Sequence, residues 1–143
     1  MRILVSACLL GVPCRYDGGS KRCSEIEELL HRHTCVPVCP EQLGGLPTPR
    51  PPAERRCEGV YMVDGADVTG EFQRGAAAAL ELARLYGCEA AVLKERSPSC
   101  GRGVIHDGTF SGGLTAGDGV TAALLEAEGI PVYGESRIKE LLH

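Results

Sequence analysis

Short runs of branched apolar residues alternate along this chain with longer stretches in which apolar positions recur at helical spacing. Ile3 to Ala7 (ILVSA), bounded by the loop GVPCRYDGGSKR, predicts a buried first strand. Ser24 and Glu27 match a capping box and predict a helix from about Glu25 to His33. Cys35 to Cys39 (CVPVC) predicts a second strand, in which Pro37 is tolerable only where no ladder donor is needed. The following PEQLGGLPTPRPPAE reads as a rigid active-site loop, because the segment before it is too short to hold a core of its own.

Beyond that loop, Asp64-Gly65 lies between two β-prone runs, so Gly59 to Thr69 predicts a hairpin. From Glu71 onward Phe72, Ala76, Ala79, Leu80 and Ala83 predict the longest helix, with Gly87 as its terminator. Ala90 to Lys94 predicts a further buried strand. The glycine-rich stretch from Gly101 to Gly119 predicts a loop, with a small turn of strand around Thr109-Phe110. Asp118 is placed to cap a helix whose Val120, Ala123, Leu124 and Ala127 share a face and which ends at Gly129. Ile130 to Tyr133 and Ser136 to Leu142 complete the pattern as a last strand and a last helix.

Strands alternating with helices imply an α/β fold: a single-domain open sandwich with a mainly parallel sheet flanked by helices, plus a small β-hairpin. The 143 residues suit one domain over 1–143, large enough to bury a core without disulfides. Fifteen Lys plus Arg against nineteen Asp plus Glu give a net charge of −4, and there are only two Phe, four Tyr and no Trp. Neither the positive field nor the stacking surface of a large nucleic-acid platform is present, so no nucleic-acid partner is expected. No run approaches the roughly eighteen apolar residues of a membrane helix, and the N-terminal stretch lacks an export signal. The expected location is the cytoplasm, where eight cysteines persist as thiols and serve as metal ligands or reactive groups more often than as disulfides.

In open α/β sheets, sites form beyond the carboxyl ends of the strands. Cys8, Cys39 and Cys100 each follow a predicted strand and so converge on one edge, and Cys14 on the loop leaving the first strand is placed to join them. Cys35 and Cys88 sit at the entrance ends, as core-like thiols; Cys23 precedes a helix and Cys57 approaches the hairpin. No two cysteines have the two-residue separation of a zinc ribbon. Four thiolates from three loops would make a closed tetrahedral zinc site, whereas three on a [4Fe-4S] cluster would leave one iron open to a substrate atom. Thiolate softness suits either metal, and a set of plain buried thiols remains the third alternative.

The flanking residues point to reactivity. Cys39-Pro40-Glu41 puts a carboxylate two residues from one candidate ligand, and Ser97-Pro98-Ser99-Cys100 puts two hydroxyls beside another, with Lys94, Glu95 and Arg96 at the same strand end. For the serines turn capping is the competing role, and for Glu41 a solvated loop charge. Arg15 and Arg50 read as salt-bridge or carbonyl partners, Arg50 more so. The glycine-rich stretch has no Walker lysine and no GxGxxG, and His31, His33, His106 and His143 are scattered, so neither a phosphate-binding loop nor a Cys/His hydrolase fits.

The blocks SACLLGVPCRYDGG, CPEQLGGLPTPRPPAE and LKERSPSCG together resemble a bacterial family, long catalogued as a domain of unknown function, that contains the iron-sulfur-dependent thiouracil desulfurase. The resemblance extends from Met1 to about Tyr133. It implies a [4Fe-4S] cluster on Cys8, Cys39 and Cys100 with one iron open to the substrate's sulfur, a catalytic carboxylate at Glu41, and a catalytic serine at Ser97, with Ser99 second. Cys14 belongs to the first block without an implied ligand role, and zinc is the metal its thiol could capture in cluster-free preparations. The implied reaction is non-redox hydrolysis of a C=S bond, with Glu41 taking a proton from the attacking water. The implied substrate is a thiolated nucleobase such as thiouracil, and the acidic surface without an RNA-binding stripe favours a free base over intact transfer RNA.

Two other readings compete. One is sulfur transfer through a persulfide on Cys100, which needs a low-pKa thiolate and no metal. The other is a non-catalytic zinc module built on Cys8, Cys14, Cys39 and Cys100.

Overall fold

Alternate residues of the first strand face opposite ways, and the two faces they serve organise the molecule. The structure is a computed structural model and describes residues 1–142; His143, one of the four scattered histidines, lies outside the described residues. On β1 (Arg2–Ser6), Ile3 and Val5 are fully buried with Ile26 and Leu29 of α1 (Ile26–Arg32) and with Ile138 and Leu141 of a C-terminal 3-10 helix (Glu135–Leu141). Leu4 points the other way, into Ala79, Leu80 and Ala83 of α3 (Thr69–Leu85) and Ala122 and Leu125 of α4 (Val120–Ala127). The sheet therefore has helices on both faces, as the alternating pattern implies.

Four strands make that sheet in the order β2-β1-β5-β8, with every pair parallel: β2 is Thr34–Val38, β5 is Ala90–Leu93 and β8 is Val132–Gly134. The β2 strand is at an edge, which accommodates Pro37 opposite Val5. From β1 the chain passes to β2 on one side and later to β5 on the other, so a topological switch point opens between the loops that follow them. The chain belongs to the open α/β class.

Several local expectations are corrected. The capping box does not form: Glu25 already has helical dihedrals (φ −82, ψ −5), Ser24 Oγ donates to Glu25 Oε2 at 3.0 Å, and Glu27 is drawn to Arg22. The helix that Asp118 was to cap is entered through Gly119 instead, because Asp118 Oδ1 accepts from the Gly103 N–H at 2.7 Å and pairs with Arg102. The last helix is 3-10 rather than α.

The proline-rich stretch holds two elements: a single turn of helix, α2 (Pro40–Leu43), and β3 (Ala53–Arg56). The β3 strand is the antiparallel partner of β4 (Gly59–Met62), joined through Cys57 with its left-handed φ of 56°. Asp64-Gly65 does make a turn, with Gly65 N–H donating to Met62 O at 2.9 Å. Only the Tyr61–Asp67 bridge closes beyond it, because α3 begins at Thr69.

The segment 101–119 carries a hairpin of its own, β6 (Val104–His106) with β7 (Leu114–Ala116). Thr109-Phe110 is not strand but part of the connecting turn, because Phe110 has a left-handed φ of 56°. None of the helices described is long and apolar enough to cross a membrane.

Candidate active site

The loops after β1, β2 and β5 deliver the three strand-end cysteines to one cavity of about 510 Å³. Cys8 sits on a 3-10 turn that continues directly from β1 (Ala7–Leu10), Cys39 is the residue before α2, and Cys100 ends the turn that leaves β5. All three line the cavity, together with Cys14, Glu41, Lys94 and Ser97. Cys8, Cys14 and Cys100 are buried and Cys39 is half-buried. Cys39 Sγ donates to the Cys14 carbonyl at 3.7 Å, and the electrostatic influence of Cys39 reaches both Cys8 and Cys14.

Cys23, Cys35, Cys57 and Cys88 stand apart from this group and do not line the cavity. Cys57 is exposed, Cys23 and Cys35 pack against the α1 side of the sheet, and Cys88 belongs to the core on the α3 side.

Burial pushes the cavity thiols up: Cys8 to about 11, where Lys94 and Arg15 partly oppose it, and Cys14 and Cys100 to about 12. A metal-free Cys100 is therefore protonated at neutral pH, which is the wrong state for a persulfide-forming nucleophile. Metal ligation requires the thiolates, so loading this site would release protons.

The donor set can be tested against the two metals. Among the described residues, no group of three or more His, Cys, Asp or Glu side chains is drawn closely enough together to hold a single ion. The four thiols instead wall a cavity. Soft thiol donors brought by separate loops to one cavity have the chemistry that a [4Fe-4S] cluster takes as ligands.

Glu41 lies in the first turn of α2, with Pro40 at the position where a missing N–H costs nothing. Its Oε1 accepts from Arg50 Nε at 3.0 Å. Burial raises the carboxyl above the ordinary carboxylate range, and the Arg50 guanidinium opposes that rise. Three of the four remaining Arg50 donors go to the carbonyls of Cys14 (3.1 Å) and Pro47 (3.1 Å) and to Thr48 Oγ1 (2.9 Å). One buried cation thus ties the carboxylate, the Cys14 loop and the proline-rich segment together.

The helical turn carrying Glu41 is pinned from behind. A Cβ on Gly75 of α3 would lie 1.9 Å from Pro40 O, and one on Gly44 would lie 2.0 Å from Glu71 O. Only glycines allow α2 and α3 this close. Gly119 does the same for the third ligand loop, since a Cβ there would lie 2.3 Å from the Ser99 carbonyl carbon.

The two serines separate. Ser97 lines the cavity, and its Oγ accepts from Ser99 N–H at 3.1 Å and Cys100 N–H at 3.0 Å. With both lone pairs engaged, the hydroxyl hydrogen is free to be donated. Ser99 is 1% exposed, pairs its Oγ with Thr121 Oγ1 at 2.8 Å, and is not a lining residue. Lys94 Nζ is paired with Glu135 Oε1 at 3.0 Å.

Among the lining residues with aromatic or ionisable side chains, four are not singled out for the site by sequence: Tyr16, Glu54, His106 and Phe110. The Tyr-Asp-Gly-Gly turn after Cys14 was a signal for the first. Nothing in the linear pattern marked the others, since they come from the two hairpins.

Residues 3–137 match the model of the 2-thiouracil desulfurase family. The chain is similar to the uncharacterized protein YbbK of Bacillus subtilis (strain 168), with 42% identity over 150 residues, covering 98% of this chain and 99% of that protein. It is also similar to the solved structure of a [4Fe-4S]-dependent thiouracil desulfidase, TudS, with 51% identity, a TM-score of 0.93, and coverage of 98% of this chain and 94% of the other.

Proposed function

The chain belongs to the 2-thiouracil desulfurase family, and from that membership we propose that it is a [4Fe-4S]-dependent desulfurase that hydrolyses the C=S bond of a thiolated nucleobase. The observation that carries this reading is the shared cavity: three strand-end cysteines, a carboxylate raised by burial, and a serine with a free hydroxyl hydrogen line the same space. Cys8, Cys39 and Cys100 are the residues that would hold the cluster, which when bound supplies an open Lewis-acid iron for the thione sulfur. Cys14 is a neighbour of this set and not a required ligand.

The protein's own residues then account for the proton movements. Glu41, ionised, accepts a proton from the water that attacks the thione carbon, and Arg50 holds the carboxylate in place for that transfer. Ser97 donates its hydroxyl hydrogen to a substrate heteroatom and is oriented for this by the two backbone N–H groups it accepts. The balance is one water consumed, one oxo-base formed and one sulfide released, with no net oxidation or reduction. The cavity, about 510 Å³, is large enough to admit a thiolated base beside the ligand cysteines.

Turnover of 2-thiouracil in heavy-oxygen water tests the reaction type. Hydrolysis predicts one labelled oxygen per uracil formed, and unlabelled uracil would remove the hydrolytic mechanism. The family match and the [4Fe-4S]-dependent neighbour favour this reading over the persulfide and zinc alternatives.

A further inference from the structure

The cavity lining also includes the tip of the β6–β7 hairpin, and the tip is held in an unusual way. Phe110 lines the cavity with a left-handed φ of 56°, a conformation that a bulky side chain adopts only when its surroundings impose it. The constraint comes from Glu54 on β3. Its carboxylate is buried, and Oε1 accepts from Gly108 N–H at 2.9 Å and from Phe110 N–H at 3.1 Å.

No ion pair to Glu54 occurs among the described residues, so these two backbone donors are what offset its burial. Gly108 completes the clamp: a Cβ there would lie 2.8 Å from Arg55 O, so the tip is pressed onto β3. At its other end the hairpin is joined to the loop after β5 by the Arg96–Ile105 bridge.

Aromatic rings are scarce in this chain. Phe72, the other phenylalanine, is buried in the core beneath the β3–β4 hairpin, and Phe110 and Tyr16 are the benzene-type rings lining the cavity, beside the His106 imidazole. Tyr16 is 40% exposed, with the Arg15 guanidinium 5.7 Å from its ring centroid. Phe110 is half-buried and fixed by its backbone.

We propose that Phe110 is the ring on which the substrate's pyrimidine stacks, and that Glu54 is the positioning residue that holds it there. The proposal rests on the reading that this cavity receives a thiolated nucleobase. Stacking suits that ligand because it is planar and presents a π-face whatever its sulfur position. Glu54 sits at the foot of the tip, and although it also lines the cavity its Oε1 is engaged by the two N–H groups. It belongs to substrate recognition, with no part in the proton transfers assigned to Glu41.

The test measures 2-thiouracil binding by equilibrium dialysis alongside KM and kcat, on anaerobically prepared protein whose cluster absorbance confirms intact folding. Phe110→Ala is expected to weaken binding and raise KM about tenfold to a hundredfold, with a much smaller change in kcat. Phe110→Tyr should stay near wild type. Phe110→Leu, which keeps apolar volume without a π-face, should fall between them and decides the matter if the alanine variant does not fold. Glu54→Ala should raise KM by freeing the tip, and Glu54→Gln should recover part of the loss, since an amide oxygen still accepts from both N–H groups.

The non-aromatic dihydro-2-thiouracil should lose little on Phe110→Ala; an equal penalty for both compounds would mean a merely structural role and would overturn the proposal. Unchanged 2-thiouracil binding by Phe110→Ala would overturn it as well. If wild type turns over substrate and the variants match it, the stacking assignment fails while the desulfurase reading stands. If wild type binds 2-thiouracil in a Phe110-dependent way without turnover, the reverse holds, and wild type that does not bind it at all removes both.

Discussion

Arg50 Nε lies 3.0 Å from Glu41 Oε1, with the guanidinium side chain 3% and the carboxylate side chain 18% exposed. Burial raises the Glu41 carboxyl and Arg50 restrains the rise. A base works in its ionised form, so the acidic limb of the pH–rate profile should lie above the ordinary carboxylate range. Arg50→Met removes the restraining charge and should move that limb to higher pH, with Arg50→Lys moving it less. An acidic limb that stays in place or moves down in Arg50→Met would contradict the pairing's role.

Replacing Glu41 by Gln should leave cluster absorbance in place and lower kcat by about 10² to 10⁴, the usual contribution of a positioned general base. Single-turnover kinetics on cluster-loaded protein measure it. A variant with wild-type turnover would show that the water is activated elsewhere.

Cys8→Ser, Cys39→Ser and Cys100→Ser should each abolish the cluster's visible absorbance, because each removes one of three strand-end donors. Cys14→Ser should retain it, and so should Cys57→Ser, whose thiol is exposed and does not line the cavity. Loss of absorbance in Cys14→Ser would make the site a four-thiolate one and leave no open iron.

The serines should differ in kind. Ser97→Ala removes the cavity hydroxyl and the cap on two N–H groups, so turnover per loaded cluster should fall. Ser99→Ala leaves Thr121 without its buried partner and should cost stability of roughly 1–3 kcal/mol in a denaturant titration, with turnover per cluster unchanged. Equal loss of turnover in both would erase the distinction.

Gly75→Ala places a methyl where Pro40 O already lies. Overpacking of this kind costs about 1–3 kcal/mol. Since the displaced segment carries Cys39 and Glu41, thermal melting should drop and kcat should fall with it. A variant with normal kcat would mean that α2 tolerates movement.

The strands of the parallel sheet and the longest helix were legible because each has its period in the sequence: ILVSA and AAVL as buried runs, and Phe72, Ala76, Ala79 and Ala83 as one helical face. The strand-end rule was enough to bring Cys8, Cys39 and Cys100 to one edge, and the same rule left Cys35 and Cys88 out of the cavity. What was not legible lies where tertiary partners override local pattern. The β3 strand reads AERR and has no apolar alternation, because its buried member, Glu54, is satisfied by a loop fifty-four residues away. Ser24 and Asp118 have the right chemistry for caps, but Glu25 and Gly103 claim their side chains first. Phe110 and His106 reach the cavity through a hairpin hidden in a glycine-rich run, and no linear signal connects them to the cysteines.

The most direct measurement of the central claim combines metal analysis with turnover on one anaerobically prepared sample. The account predicts about four irons with matching sulfide per chain, loss of the 2-thiouracil thione absorbance, and equal amounts of uracil and sulfide formed without added reductant or oxidant. Protein carrying the full cluster that leaves 2-thiouracil unchanged, or cluster-free protein that converts it equally well, would contradict it.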